Sequence, residues 1–195
     1  MKLYKAYLSD FSQEEYNKYY SMLDPTRKKS VDRMKNPTDK RLSVLGESLA
    51  RRAISNYFSV DEESIKFTRN ENGKPSCVGL DIHFSVSHSK DIACCAISDK
   101  PIGADIEKIR FCEPRVAKFC CLESDLIYLF GQDKIPDSFD EDTLLRFFTL
   151  WTAKEAYIKL RGEKMANIKD FSYDDIKNKC QTVIENGYAL TICRE

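Results

Sequence analysis

The chain has 195 residues, 42% of them hydrophobic, enough for a real core in one large domain or two small ones. Its 31 basic and 31 acidic residues balance to zero formal charge, which argues against a general nucleic-acid binder and leaves room for a local basic pocket. No stretch approaches the ~20 apolar residues that span a bilayer, and MKLYKAYLSD has no charged lead-in followed by an apolar run, so a soluble cytoplasmic protein without membrane contact is expected.

Alternation over residues 2–8 predicts a first strand. Residues 12–22 predict a helix, with Ser12 as cap and Glu15 three residues on. PTRKKSVDRM, residues 25–34, reads as a short basic helix opening with proline. Residues 38–58 carry the first strong helical pattern: Leu42, Leu45, Leu49, Ala53 and Tyr57 recur at a helical period, and Thr38 or Asp39 can cap it. A short strand over 64–68 and a turn over 70–75 follow. Residues 82–87 and 92–98 read as strands around a polar turn at 87–91.

After Pro101 a new strand is predicted over 102–109, and the boundary between two halves, 1–101 and 102–195, is placed here. Residues 113–119 and 123–130 read as helices, and 132–141 as an acidic loop. Residues 142–161 are the second strong helix, ended by Gly162. The tail offers short strands near 171–173, 181–184 and 188–193, with Asn186-Gly187 as a hairpin turn. Each half then has a long helix, a short strand and a closing strand pair, a pattern that fits an internal duplication without sequence identity to establish it.

Eight cysteines occur, with no CxxC, and the adjacent pairs Cys94-Cys95 and Cys120-Cys121 have no histidines at ligand spacing. Zinc is therefore not expected, and most of these cysteines are expected to be reduced core residues.

The chemistry-bearing residues fall in three segments. On a strand through Ile102–Glu107, Ile102, Ala104 and Ile106 share one face, and Gly103, Asp105 and Glu107 share the other. Two adjacent carboxylates repel, and a hard divalent cation such as Mg²⁺ removes that cost, with Gly103 leaving space for a ligand. A solvated face neutralised by Lys108 and Arg110 fits the same residues. On the second long helix Thr152, Glu155 and Lys159 share a face, while Phe147, Leu150, Trp151 and Ile158 turn toward a core. Glu155 can complete a metal site or take a proton from an attacking hydroxyl, and Lys159 can neutralise a phosphate oxygen. A surface Glu155–Lys159 ion pair is the alternative. Ser87 and His88 at a strand end, with the Gly73-Lys74-Pro75 turn, make a small phosphate-binding set; His88 also fits a turn residue bonded to backbone. A Ser-His nucleophile pair would need an orienting acid and an oxyanion hole.

Gly73-Lys74-Pro75, then FSVSHS at 84–89, PIGADIEKIR at 101–110 and LWTAKEAYIKLRG at 150–162 together resemble the phosphopantetheinyl transferases of the surfactin-synthetase-activating type, along nearly the whole chain. The resemblance implies a pseudo-twofold α+β fold of two similar halves, with coenzyme A bound in the cleft between them. It implies Asp105, Glu107 and Glu155 as Mg²⁺ ligands, Glu155 as the leading base for the carrier serine, and Glu123 as a second candidate. Lys159 would contact the pyrophosphate. Ser87 and His88 would contact coenzyme A phosphates, Lys74 and Pro75 would border the adenine, and Arg27 and Ser43 fall where the family holds the 3′-phosphate. Arg27 stands where a lysine is common, and Ser30 where a second lysine is common, with Lys28 or Arg33 as substitutes. Ala104 replaces a commoner β-branched residue.

The function implied is transfer of 4′-phosphopantetheine from coenzyme A to a serine of an apo-carrier protein, releasing 3′,5′-ADP, by a monomer with no nucleic-acid partner. The carrier is expected near residues 111–130, with Arg110, Arg115 and Lys118 as contacts for acidic carrier helices. A Mg²⁺-dependent phosphohydrolase and a non-catalytic coenzyme A-binding protein are the rival readings.

Overall fold

The structure is a computed structural model describing residues 1–195. The chain forms two compact units, Met1–Ile102 and Gly103–Glu195.

The first unit opens with strand β1 (Lys2–Tyr7). Helix α1 (Gln13–Ser21) starts in a capping box: Ser12 Oγ accepts from the Glu15 N–H, and the Glu15 carboxylate accepts from the Ser12 N–H. Helix α2 (Pro25–Asp32) has proline in its first turn, and Asp24 caps it by accepting from the Arg27 N–H at 2.9 Å. Helix α3 (Pro37–Phe58) is capped by Asn36 rather than by Thr38 or Asp39. Pro37 explains the shift, because its fixed φ and missing N–H suit the first helical position. Leu42, Leu45, Leu49 and Ala53 are buried as their spacing predicts, whereas Tyr57 is exposed near the helix end.

Strands β2 (Phe67–Arg69) and β3 (Pro75–Cys77) pair antiparallel around the glycine-lysine turn. Strands β4 (His83–Ser89) and β5 (Ile92–Ser98) join β1 in a sheet ordered β1-β5-β4, both pairings antiparallel. Every residue of central β5 is buried, which accounts for the apolar IACCAI run. Helix α3 packs against β4 and β5. Gly46 permits the approach: a Cβ there would lie 2.8 Å from Val86 Cγ1. The polar turn is shorter than 87–91, so Ser87 and His88 lie within β4 and the chain reverses only around Lys90, whose φ is 59°.

The second unit has the same plan. Strand β6 (Ile102–Lys108), a short helix α4 (Ala117–Cys120) and helix α5 (Glu123–Phe130) lead to the long α6 (Glu141–Arg161). Asp140 caps α6 through the Thr143 N–H, and Gly162 ends it at φ 68°. Helix α7 (Tyr173–Ile176) stands where a strand at 171–173 was expected. Ser172 and Asp175 form a capping box that starts a helix there instead. Strands β7 (Cys180–Glu185) and β8 (Tyr188–Arg194) form the hairpin around Asn186-Gly187. The sheet order is β6-β8-β7, and α6 packs on β8 and β7. No helix is long and apolar enough to cross a membrane.

Six of the eight cysteines are free, in line with the expectation for most of them, and Cys180 and Cys193 form a disulfide. They are directly paired across the β7–β8 ladder, so the register itself brings the two sulfurs together.

Candidate active site

Strand β6 is covered on both faces. Ile102, Ala104 and Ile106 are buried, as expected of a core face, but so are Gly103 and Asp105. Gly103 does not leave room for a ligand. A Cβ there would lie 1.9 Å from the Ala156 carbonyl oxygen and 2.5 Å from the Leu160 nitrogen, so this glycine exists to let the α6 backbone lie directly on the strand. That approach brings Asp105 and Glu107 of β6 beside Glu155 of α6. One carboxylate oxygen from each lies within 4.8 Å of the others.

Lys159, one turn beyond Glu155, donates to Asp105 Oδ1 at 2.6 Å. Asp105 is 1% exposed, so this pair is screened little by solvent. Arg110 Nη1 lies 3.7 Å from Glu107 Oε2 at the open end of the strand. The Glu155 carboxyl is held well above the usual carboxylate range, first by burial and then by repulsion from Asp105; Lys159 opposes the shift. The donor set is oxygen only and carries excess negative charge, which suits a hard divalent cation. Thr152 on the same helix face is spent structurally, hydrogen-bonded to Thr191 Oγ1 at 2.7 Å. Trp151 packs on Phe147 in the core of this unit, with ring centroids 6.1 Å apart.

The first unit gathers cations around α3. The Arg27 guanidinium donates to the Ser43 hydroxyl and, through Nε, to Glu47 Oε2 at 3.3 Å. Arg69 Nη2 donates to the same Glu47 oxygen at 2.9 Å. Burial and then the charge of Arg69 lower the Arg27 pKa, while Glu47 raises it. Arg69 Nη1 also bonds the Gly73 carbonyl at 3.1 Å, beside half-buried Lys74 and Pro75. Gly73 has φ 86°, and Asn70 Oδ1 accepts from the Lys74 N–H at 2.8 Å, which fixes the turn. His88 lies on the α3 side of β4, near Gly46, whereas alternation turns buried Ser87 to the opposite face. Ser87 and His88, adjacent in sequence and expected as one set, point to opposite faces of β4. Glu47 and Arg69 join this group without having been candidates from the sequence. Glu47 left a legible signal, an acid one turn after Ser43 on the buried stripe of α3. Arg69 left none, since nothing local distinguishes it from a solvated strand residue.

A family model described as 4′-phosphopantetheinyl transferase, N-terminal, matches residues 10–100, and one described as the 4′-phosphopantetheinyl transferase superfamily matches residues 101–193. The chain is 37% identical over 177 residues to 4′-phosphopantetheinyl transferase gsp of Aneurinibacillus migulanus, covering 90% of this chain and 71% of that protein. It is 34% identical over 168 residues to 4′-phosphopantetheinyl transferase Sfp of Bacillus subtilis strain 168, covering 85% of this chain and 72% of that protein. The chain belongs to the 4′-phosphopantetheinyl transferase superfamily.

Within this phosphopantetheinyl transferase, the remaining candidates sit as follows. Glu123 opens α5 and is exposed, and it is not among the three clustered carboxylates. Two residues on, Asp125 is buried and accepts from Lys154 Nζ at 2.6 Å, with both side chains no more than 1% exposed. Lys154 also donates to the Cys120 carbonyl at 2.7 Å, and Asp125 accepts from the Tyr173 N–H at 2.6 Å. This pair ties the α4–α5 segment and the start of α7 to the helix that carries Glu155. Arg115 and Lys118 are exposed beside Phe111 and Phe119, which are the most exposed large apolar side chains of the chain.

Proposed function

We propose that this chain transfers 4′-phosphopantetheine from coenzyme A to a serine of an apo-carrier protein and releases 3′,5′-ADP. The observation that carries the reading is the cluster of Asp105, Glu107 and Glu155 with Lys159 at 2.6 Å from Asp105, in a chain of this superfamily. The phosphohydrolase and non-catalytic readings are not favoured, because the similarity to gsp and Sfp runs over most of the chain.

Asp105, Glu107 and Glu155 are assigned to hold Mg²⁺, which their oxygen-only donor set fits. When bound, the ion neutralises charge on the pyrophosphate of coenzyme A. The serine hydroxyl of the carrier attacks the β-phosphorus, the bond to the oxygen shared with 3′,5′-ADP breaks, and the nucleotide departs with the bonding electron pair. Glu155 takes the serine proton, directly or through an oriented water, and Lys159 faces the growing charge on the pyrophosphate. Glu123 is the second candidate for the base. Arg27, Ser43 and His88 of the first unit are assigned to the 3′-phosphate, Lys74 and Pro75 to the adenine, and Ser87 to a phosphate contact. The segment 111–119, in which Phe111, Arg115, Lys118 and Phe119 are each exposed, is assigned to the carrier, because it offers apolar area and positive charge. One chain carries both sets of groups, so the monomer is taken as the active form.

Intact-mass spectrometry of an apo-carrier incubated with the protein, coenzyme A and Mg²⁺ tests the reading. A gain of one phosphopantetheine is expected. Coenzyme A hydrolysed with the carrier unchanged would favour the phosphohydrolase, and binding without either change would favour a non-catalytic protein.

A further inference from the structure

Helix α6, which carries Glu155 and Lys159, also rests on the disulfide of the β7–β8 hairpin. The bonded Cys180 and Cys193 sulfurs lie 3.8 and 3.5 Å from the Ala153 carbonyl oxygen, two residues before Glu155. Cys193 packs with Ala156 and Leu160 in a small buried cluster, and Cys180 and Tyr157 border it. Ala156 and Leu160 are also the residues whose backbone meets Gly103. One stretch of α6, residues 153–160, is therefore seated on β6 at Gly103 and on the cysteine pair of the hairpin. Its seat on β6 has no slack, since a methyl at Gly103 would lie 1.9 Å from the Ala156 carbonyl oxygen. Two thiols need more room than one disulfide, because unbonded sulfurs stand off at van der Waals contact. The free Cys120 and Cys121 sulfurs of this chain lie 3.6 Å apart. Ala153, Ala156 and Cys193 are all fully buried, so the added room comes from movement of the helix or the hairpin. The pair is reachable from one end. Cys180 is half-buried on the edge strand β7. Its neighbour Lys179 and Arg161 both stand over the Tyr157 ring, 5.4 and 5.7 Å from its centroid. Positive charge beside a half-buried sulfur favours the approach of an anionic thiolate.

We propose that Cys180 and Cys193 are a thiol–disulfide switch that sets where α6 holds Glu155 and Lys159. The proposal rests on the transfer reading above and adds redox control of the same site. A thiolate of a small dithiol attacks Cys180 Sγ; the S–S bond breaks, and Cys193 Sγ leaves with the bonding pair and takes up a proton. The second thiol of the reductant loses its proton and attacks the mixed disulfide, and Cys180 leaves as a thiolate that is protonated in turn. Two electrons pass to the protein, and the dithiol becomes a disulfide. The reduced sulfurs move apart beneath Ala153, and α6 tilts about its backbone contact with Gly103. Glu155 and Lys159 ride on the tilting stretch, whereas Asp105 and Glu107 stay on β6. The disulfide form, in which the three carboxylates lie together, is the active one, and the dithiol form is the slow one.

Amide hydrogen exchange and transfer kinetics of the full chain, before and after reduction with dithiothreitol, test the switch. The other six cysteines are already thiols, so reduction changes this pair alone. Coenzyme A methylated on sulfur serves as donor, so the substrate brings no thiol of its own. On reduction, the amides of residues 153–160 should exchange at least about tenfold faster. The kcat for carrier modification should fall about ten- to a hundredfold, the scale of a displacement of about 1 Å in a reacting site, with the KM for the donor unchanged. Reoxidation should restore both. Cys180→Ser with Cys193→Ser should show neither response to dithiothreitol, and Cys180→Ser alone serves where the double variant does not fold. A response that persists in these variants would place its cause elsewhere and overturn the proposal, as would wild-type exchange or kcat that reduction leaves unchanged. The exchange readout does not depend on transfer. Transfer at one rate in both redox states refutes the switch alone. Faster exchange on reduction with no transfer in either state refutes the transfer reading alone.

Discussion

Lys159 Nζ and Asp105 Oδ1 lie 2.6 Å apart, and they come from the two elements that build the acid cluster, α6 and β6. The sequence offered an i, i+4 pairing of Lys159 with Glu155 along one helix face as the ordinary alternative. The contact with Asp105 crosses from helix to strand. It joins the only lysine of the motif that reaches the cluster to the most buried of its carboxylates. Asp105→Ala should therefore do two things at once. Transfer should fall at least about a hundredfold, the scale of losing one electrostatic contact in a reacting site. Added Mg²⁺ is also expected to raise the melting temperature of wild type and not that of the variant, because a ligand that binds only the folded state stabilises it by mass action. Parallel melts with and without Mg²⁺ read the second effect independently of turnover.

Gly103→Ala should damage stability and catalysis together. The added methyl would lie 1.9 Å from the Ala156 carbonyl oxygen, a backbone atom that cannot swing aside. Either β6 or α6 must shift, at a cost of roughly 1–3 kcal/mol or more. The same shift moves Asp105 away from Glu155. A lowered melting temperature with a fall in kcat is expected, and an alanine variant with wild-type melting and wild-type kcat would show that the strand and helix are not so closely apposed.

Removing Lys154 should destabilise the second unit severely. Lys154→Met leaves Asp125 as a buried carboxylate without its cation, a loss of about 3–5 kcal/mol for pairs of this kind. Asp125 also receives the Leu122 and Tyr173 N–H groups, so a compensating change must keep an acceptor. Lys154→Met with Asp125→Asn should recover part of the loss, and denaturant unfolding of the single and double variants measures the coupling.

The disulfide predicts a thiol count. The unreduced, denatured protein should show six reactive thiols and the reduced protein eight. Reduction should lower stability by less than about 3 kcal/mol, the chain-entropy limit for a loop this short, since the Asn186-Gly187 hairpin already holds the two strands together. Eight thiols before reduction would contradict the pairing.

Much of this architecture was legible in the residues. The helix at Glu123–Phe130, the end of α6 at Gly162 and the Asn186-Gly187 hairpin follow from periodicity and local turn chemistry, which the chain writes explicitly. Asp105, Glu107 and Glu155 were legible as candidates because strand alternation and helical spacing point them to one side each. What alternation cannot tell is what covers a face. Gly103 was misread as open space because the helix backbone that fills it comes from a segment some fifty residues away. Tyr173 begins a helix rather than ending a strand because the Ser172–Asp175 capping box satisfies the first-turn N–H groups. The Glu47–Arg69 contact was invisible for another reason: its partners lie on different elements, and neither is unusual in its own segment.

The most direct test of the role proposed for Asp105, Glu107 and Glu155 is the rate of carrier modification by wild type and by Glu155→Gln, at equal coenzyme A, Mg²⁺ and carrier. Glutamine keeps the size of the side chain and removes both the charge and the ability to take a proton. The folded variant should leave the carrier at its apo mass over times in which wild type converts it completely. Modification by Glu155→Gln at the wild-type rate would contradict the placement of the reaction at Asp105, Glu107 and Glu155.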